Sequence, residues 1–388
     1  MRFIHTADWQ LGKPFGRFDA ETRAALTEAR FDAIDTLGKA AAEHGAGHVL
    51  VAGDVFDTEG PDERTVVQAV TRMERHDCRW WLLPGNHDFA RNGGIWDRVR
   101  GRAAANVVVL TEPVAHEIED GVWLLPAPLL HRHTLDDPTQ AFERMETPGA
   151  RLRIGLAHGS IRGFGTQGET KNLIAPDRAR LSNLDYLALG DWHGTLQVDA
   201  RTWYSGTPET DDFHKGRNEP GKALLVDLVP GTEPKVTPLA SGRFRWLMQD
   251  WVVPDAIGFK NLADDLLAAC EPAATLLRLT LSGIVPLTDR VAMLARIEDD
   301  LDHRLRHLDV RDADVVARPT EEDLAALSSE GMIGRAGALL REKIAADGPD
   351  APRARRALER LFVEALRDQT GRDQTGRDRT GREQGDAA

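Results

Sequence analysis

Apolar and polar positions along the first hundred residues fall into a repeating order. Residues 2–8 (RFIHTAD), His48–Ala52 and Arg79–Leu83 are short, largely apolar runs of strand length. Between them lie two stretches of helical period. Phe31, Ile34, Leu37 and Ala41 share one face of a predicted helix from Glu21 to His44, with Gly45 as its stop, and a second helix is predicted over Glu63–His76. Strand, helix, strand, helix, strand implies parallel pairing through right-handed crossovers. After Asn106 the pattern shifts to short strands: Val107–Leu110, Val114–Ile118, Val122–Leu125, Leu152–Ala157, Tyr186–Leu189, Thr202–Tyr204 and Ala223–Leu228. Helical cover returns at Pro138–Met145. The fold class this predicts is α/β, a sandwich of two β-sheets flanked by helices.

A second pattern begins near Ser241-Gly242. Strand Phe244–Val252, helix Leu262–Cys270, strand Leu276–Leu281, helix Asp289–Leu305 and strand Val310–Val316 read as a small α+β module. Expected boundaries are therefore 1–242, 243–320, a helical segment 321–366 and a repeat tail 367–388. In the helical segment Leu358, Leu361, Phe362, Ala365 and Leu366 form an apolar stripe that a lone helix cannot bury. It either folds back on its own chain or docks on a partner. The tail repeats RDQTG-RDQTG-RDRTG and reads as disordered.

Composition changes this picture little. At 388 residues the chain suggests two domains and an appendage, and 41% hydrophobic with 29% charged residues is ordinary for a globular protein. No apolar stretch approaches the ~20 residues of a membrane span. The first nine residues read as a core strand rather than a leader. Two cysteines, Cys78 and Cys270, are expected to be reduced thiols, which favours the cytoplasm. A net charge of −13 argues against a general DNA-coating protein, though local basic residues around an acidic metal site would suffice for contact.

Chemistry concentrates in five motifs: HTADWQLG from His5, AGDVFD from Ala52, PGNHD from Pro84, LAHGS from Leu156 and ALGDWHG from Ala188. Each follows an apolar run and opens a glycine-containing turn, where an open α/β sheet gathers side chains. The residues delivered are carboxylates, amides and imidazoles, the set needed to hold two divalent ions for phosphate-ester hydrolysis. Asp54, with two oxygens to share, is the expected bridge. Asp8, Gln10 and His193 would complete one ion, and Asn86, His158 and Asp191 the other. His87 is left to contact the phosphate or protonate the leaving oxygen. Asp57 and Asp88 are placed to orient these groups as hydrogen-bond acceptors.

GDxFD, GNHD, the isolated H-G and the late GxxHG resemble the calcineurin-like metallophosphoesterases, specifically the SbcD-type DNA-repair exonucleases. Any one motif is weak, but five in this order form a specific signature. The resemblance implies a hydrolase that cuts DNA, an α+β capping domain after the nuclease domain, and an SbcC-like SMC-type ATPase as partner, with a homodimer as a further assembly. Two positions depart from the family. The usual D-x-H is Asp8-Trp9-Gln10, and the usual G-H-x-H is Gly190-Asp191-Trp192-His193. The harder, more anionic donor set shifts the expected ions from zinc toward manganese, with magnesium as the alternative.

Lys13, Arg17, Arg91, Arg162 and Lys171 follow the motifs and are the candidate DNA contacts. The polar stretch 159–175 reads as an active-site wall. His131-x-His133 has no carboxylate nearby and reads as surface. Trp80, Trp81 and Trp123 lie in strand patterns and read as core, and packing is also the better reading of Trp9 and Trp192. Two other functions remain open: a small-molecule phosphodiesterase or phosphatase on the same fold, and a DNA-binding subunit weakened in catalysis at Gln10 and Asp191.

Overall fold

A computed structural model describes residues 1–163, 171–213, 220–318, 332–358 and 360–361. The chain divides into two compact units, Met1–Trp246 and Leu247–Ala388. In the first, β1 (Arg2–Thr6), α1 (Ala20–Glu43), β2 (His48–Val51), α2 (Glu63–Glu74), β3 (Arg79–Leu82), α3 (Ile95–Arg100) and β4 (Val107–Val109) alternate as the apolar runs predict. Next come β5 (His116–Glu119), β6 (Val122–Ala127), a 3-10 helix at Pro138–Arg144, β7 (Leu152–His158), and the short pair β8 (Ser160–Ile161) and β9 (Leu173–Ile174). The unit continues with α4 (Arg178–Leu181), β10 (Tyr186–Gly190), β11 (Leu196–Gln197), β12 (Thr202–Tyr204), β13 (Lys222–Asp227) and β14 (Lys235–Ala240).

These strands form two six-stranded sheets, ordered β14-β13-β1-β2-β3-β4 and β11-β12-β10-β7-β6-β5. In the first, β1 through β4 are parallel. In the second, β12, β10, β7 and β6 are parallel. The two-residue period decides which side chains meet. Phe3, Leu50 and Trp81 face the second sheet and pack with Leu124, Ile154, Leu156, Tyr186 and Ala188. Their neighbours Ile4, Val49, Val51, Trp80 and Leu82 turn to the helices and pack on Phe31, Ile34, Leu37, Val66 and Met73. The outer face of the second sheet buries Leu125, Leu187 and Leu189 against Phe142 of the 3-10 helix. Each such side chain contributes about 1.5–3 kcal/mol when taken out of water, so both sheets are pinned in register.

Caps set the helix starts. Asp19 accepts from Thr22 N at 2.9 Å ahead of α1, and Asp62 from Thr65 N at 2.7 Å ahead of α2. The sequence pattern missed β14, an edge strand with no buried side chain and an internal proline, and the short α3. The stretch 159–175 is not wholly irregular: β8 and β9 pair in parallel, while residues 164–170 lie outside the described residues.

In the second unit, β15 (Arg245–Val252), which begins just before the division, β16 (Thr275–Pro286) and β17 (His307–Arg318) form a sheet in that order, with β16 and β17 parallel. Helices α5 (Ala256–Ala269) and α6 (Leu287–Arg296) bury Phe259, Leu266 and Met293 with Leu277, Leu279 and Leu281. Helix α5 starts six residues before the expected Leu262, because Asp255 caps it by accepting from Gly258 N at 2.7 Å. After α7 (Met332–Ala345), residues 351–358 are helical and Leu358 is buried with Leu287 and Ala317. Leu358 thus packs within its own unit. Phe362, Ala365, Leu366 and the repeat tail lie outside the described residues. Among the described residues no helix is long and apolar enough to cross a membrane.

Candidate metal centre

The five motifs converge because the strands that precede them are parallel within each sheet. Asp8 follows β1, Asp54 follows β2, Asn86 and His87 follow β3, His158 ends β7, and Asp191 and His193 follow β10. The first two loops are zipped together as an irregular extension of the β1–β2 pair: Asp8 N donates to Gly53 O at 3.0 Å, Gln10 N to Asp54 O at 2.9 Å and Leu11 N to Val55 O at 2.9 Å. Turning carboxylates inward from these loops requires left-handed backbone. Asp8, Gln10, Asp54 and Asp191 have φ of 55°, 45°, 52° and 97°, a region that side chains enter at a cost. Gly85 is required for another reason: a Cβ there would overlap the Asp54 carboxylate.

On one side of the centre, acceptors face acceptors. His158 is fully buried, and its Nδ1 lies 2.8 Å from Ala52 O. In the neutral ring, donating there leaves Nε2 as a lone pair, 3.5 Å from Asp54 Oδ1 and 3.7 Å from Asp191 Oδ1. Asn86 Oδ1 lies 2.7 Å from that nitrogen and 3.3 and 3.2 Å from the two Asp54 oxygens. A turned amide would donate to all three, and a cation among the acceptors would satisfy them without turning it. Ligand atoms of Asp8, Asp54 and His158 lie within 4.8 Å of one another. Opposite ligands of one ion with bonds of roughly 2.0–2.3 Å are separated by about that much, so these residues fit a divalent cation. The Asp8 carboxylate also accepts from Asp191 N at 3.2 Å, and Ser160 Oγ donates to Asp191 at 2.6 Å.

Electrostatics agree. Burial pushes the Asp8 carboxyl up to about 6, with His158 and His193 opposing it. Burial would lower the His158 pKa, but Asp54, Asp8 and Asp191 outweigh it and hold the ring at about 9. A concentration of negative charge is holding a proton where a metal ion would bind.

The other side is already satisfied. Lys13 Nζ donates to Gln10 Oε1 at 3.1 Å and pairs with Asp211. Gln10 Nε2 lies 3.3 Å from His193 Nε2, and His193 Nδ1 lies 3.3 Å from Asp211. With Nδ1 protonated, every member of this ring of four side chains finds a partner. Burial lowers the His193 pKa and Asp211 more than reverses it, for a net rise. The Gln10 contact nevertheless needs the neutral ring, because a charged one would set two donors against each other.

His87 stands at the rim, its side chain 32% exposed, with Nε2 4.0 Å from Asp54 Oδ2. Its Nδ1 lies 2.8 Å from the backbone carbonyl of Asp57. Asp57 is thus the acceptor beside His87, through its backbone carbonyl rather than its side chain. Asp88 instead holds the backbone next to Asn86. It is buried and accepts from Phe56 N at 3.0 Å and Gly85 N at 2.7 Å, tying the second and third motifs together. Burial raises its carboxyl to about 8.

Of the expected DNA contacts, Lys13 belongs to the ring. Arg17 pairs with Asp212 at 2.7 Å and stacks over Phe18 at 4.8 Å, and Arg91 pairs with Glu59 at 3.0 Å. Arg162 and Lys171 are exposed. His131 and His133 are exposed, Trp80 and Trp81 are buried, Trp123 is partly buried, and Trp9 is buried edge-on to Trp80. Trp192 is 39% exposed. Sequence reasoning missed Asp211 and the buried Arg30, 3.7 Å from it. The available signal was the TPETDD turn, whose Thr207 N donates to His193 O at 3.0 Å.

Residues 1–218 match the family described as calcineurin-like phosphoesterase. The chain is 37% identical over 91 residues to the SbcD component of the nuclease SbcCD from Escherichia coli K12, covering 23% of this chain and 21% of that protein. It is 26% identical over 275 residues to the Bacillus subtilis protein of the same name, covering 60% and 68%. A B. subtilis protein called uncharacterized metallophosphoesterase YhaO is 26% identical over 210 residues, covering 50% and 48%. Against the E. coli relative, then, the similarity spans about a fifth of its length. The family match takes in more than half of the chain and all five motifs, and on that ground the chain belongs to the calcineurin-like phosphoesterases, hydrolases that use divalent metal ions.

Proposed function

We propose that the chain is a metal-dependent DNA phosphodiesterase, an exonuclease with endonuclease activity as a further capacity, acting in DNA repair. One observation carries the reading: Asp8, Asp54, Asn86 and His158 present acceptors to one point, with His87 at its rim. A bound divalent ion supplies charge neutralisation on the phosphoryl oxygens and a strong nucleophile from water at neutral pH. The oxygen-rich donor set favours manganese, with magnesium as the alternative to it. Asp191 lies 3.7 Å from the same His158 nitrogen and completes the set. His87 keeps one proton on the Asp57 carbonyl, so in its charged form Nε2 holds the proton that the leaving oxygen receives. The sequence expectation of a second ion through Gln10 and His193 meets a different geometry, in which both side chains already have partners.

Two of the relatives are each named as one subunit of a nuclease called SbcCD, which supports a nucleic acid as substrate and a second subunit as partner; the motif resemblance makes these DNA and an SbcC-like ATPase. Cys78 and Cys270 are free thiols, which suits the cytoplasm. A second reading, hydrolysis of a small phosphodiester, is favoured by the ion pairs that occupy Lys13, Arg17 and Arg91. Digestion of end-labelled duplex and single-stranded DNA with manganese, beside cyclic nucleotides and a generic phosphodiester, separates the two. Release of mononucleotides from DNA ends is the expected result. Cleavage of the small esters alone would overturn the nuclease reading.

A further inference from the structure

The two halves of the centre differ in kind. Around His158, carboxylate and amide oxygens crowd one ring nitrogen, with no cationic side chain among them besides that ring. Around His193, the two atoms that would ligate a second ion are already engaged: Gln10 Oε1 accepts from Lys13 at 3.1 Å, and His193 Nε2 lies 3.3 Å from the Gln10 amide nitrogen. Asp211, a third potential ligand, is buried and pairs with Lys13 and Arg30. An ion here would have to open the ring and sit beside an ammonium already fixed in place. The donor set does not fit it.

We propose that this subsite takes no metal, and that the Lys13 ammonium, held between Gln10 and Asp211, supplies the positive charge there. The chain would then bind one divalent ion where its motifs suggest two. Lys13 would face the phosphoryl oxygens from the side opposite His158, its side chain 26% exposed and so within reach of a substrate. Replacing histidine by glutamine in the first motif is what makes this workable. An imidazole at position 10 offers a ring nitrogen to a metal, whereas an amide offers an oxygen to the lysine and a hydrogen to His193.

The proposal rests on the metal-dependent reading above, and metal stoichiometry tests the two separately. Native mass spectrometry of the full chain, titrated with manganese, should find one ion bound. Manganese electron paramagnetic resonance should show an isolated ion with no exchange coupling. Two tightly bound, coupled ions would overturn the proposal and leave the metal-dependent reading standing. No bound ion would sink that reading and the proposal with it. Lys13→Ala should still bind one ion and lose about a hundredfold in turnover of a generic phosphodiester, the scale of a lost charge-stabilising group. Gln10→His combined with Lys13→Ala should gain the second ion. If that double variant melts like the parent and still binds only one, Gln10 and Lys13 are not what excludes the second, and the assignment falls.

Discussion

His158 is the residue through which pH reaches the centre. Its ring is fully buried, and nearby carboxylates hold it at about 9, above the ordinary 6.5. A raised histidine pKa stabilises the fold fully below 6.5 and loses that effect as pH rises through about 9. In chelator, the melting temperature should therefore fall from pH 6.5 to 9, and Asp8, raised to about 6, should add a fall in the more acidic range. Manganese should flatten the alkaline fall, because a ligated ring no longer holds the proton. Calorimetry at pH 7 in buffers of different ionisation enthalpy should find about one proton released per ion bound. Release of none would mean His158 is not a ligand. His87→Ala should keep the ion and lose about a hundredfold or more in the chemical step; loss of the ion would instead make His87 a ligand. Most candidate residues were legible because each follows an apolar run at a strand end. The ring was not, since Lys13 and Asp211 are 198 positions apart and only the folded chain brings them together.

At the scale of elements, the buried strands were legible almost to the residue. Their apolar runs end where a motif begins, so β2, β3 and β10 leave little freedom. Elements defined by caps and edges were not. Helix α5 starts at a capping aspartate with a glycine in its first turn, and β14 buries none of its side chains at a sheet edge. The C-terminal stripe shows the same limit. Its spacing allowed docking or folding back, and Leu358 is buried with Leu287 and Ala317 in its own unit. Leu358→Ala should therefore cost about 2–4 kcal/mol in denaturant unfolding. Removal of residues 362–388 should leave that unfolding unchanged and, if the tail side of the stripe docks an SbcC-like subunit, abolish co-purification. An unstable truncation would make the stripe part of the core throughout.

For the whole molecule, an excess of acidic over basic residues gives a net charge of −13, and the centre gathers Asp8, Asp54 and Asp191. The same three aspartates have left-handed backbone, a strain of roughly 1–3 kcal/mol each that the packed sheets must offset. It follows that the fold would be sturdier without its chemistry. Asp54→Asn keeps a residue tolerant of that backbone, removes one of the crowded charges and places an amide hydrogen among the acceptors. At alkaline pH, where His158 is neutral, this variant should melt higher than the parent in chelator while binding no ion; a lower melting temperature would show that the crowded charge is not what burdens the centre. Durability and chemistry therefore pull opposite ways at these three positions, and a screen for heat resistance alone, run in chelator at alkaline pH, should return substitutions there first.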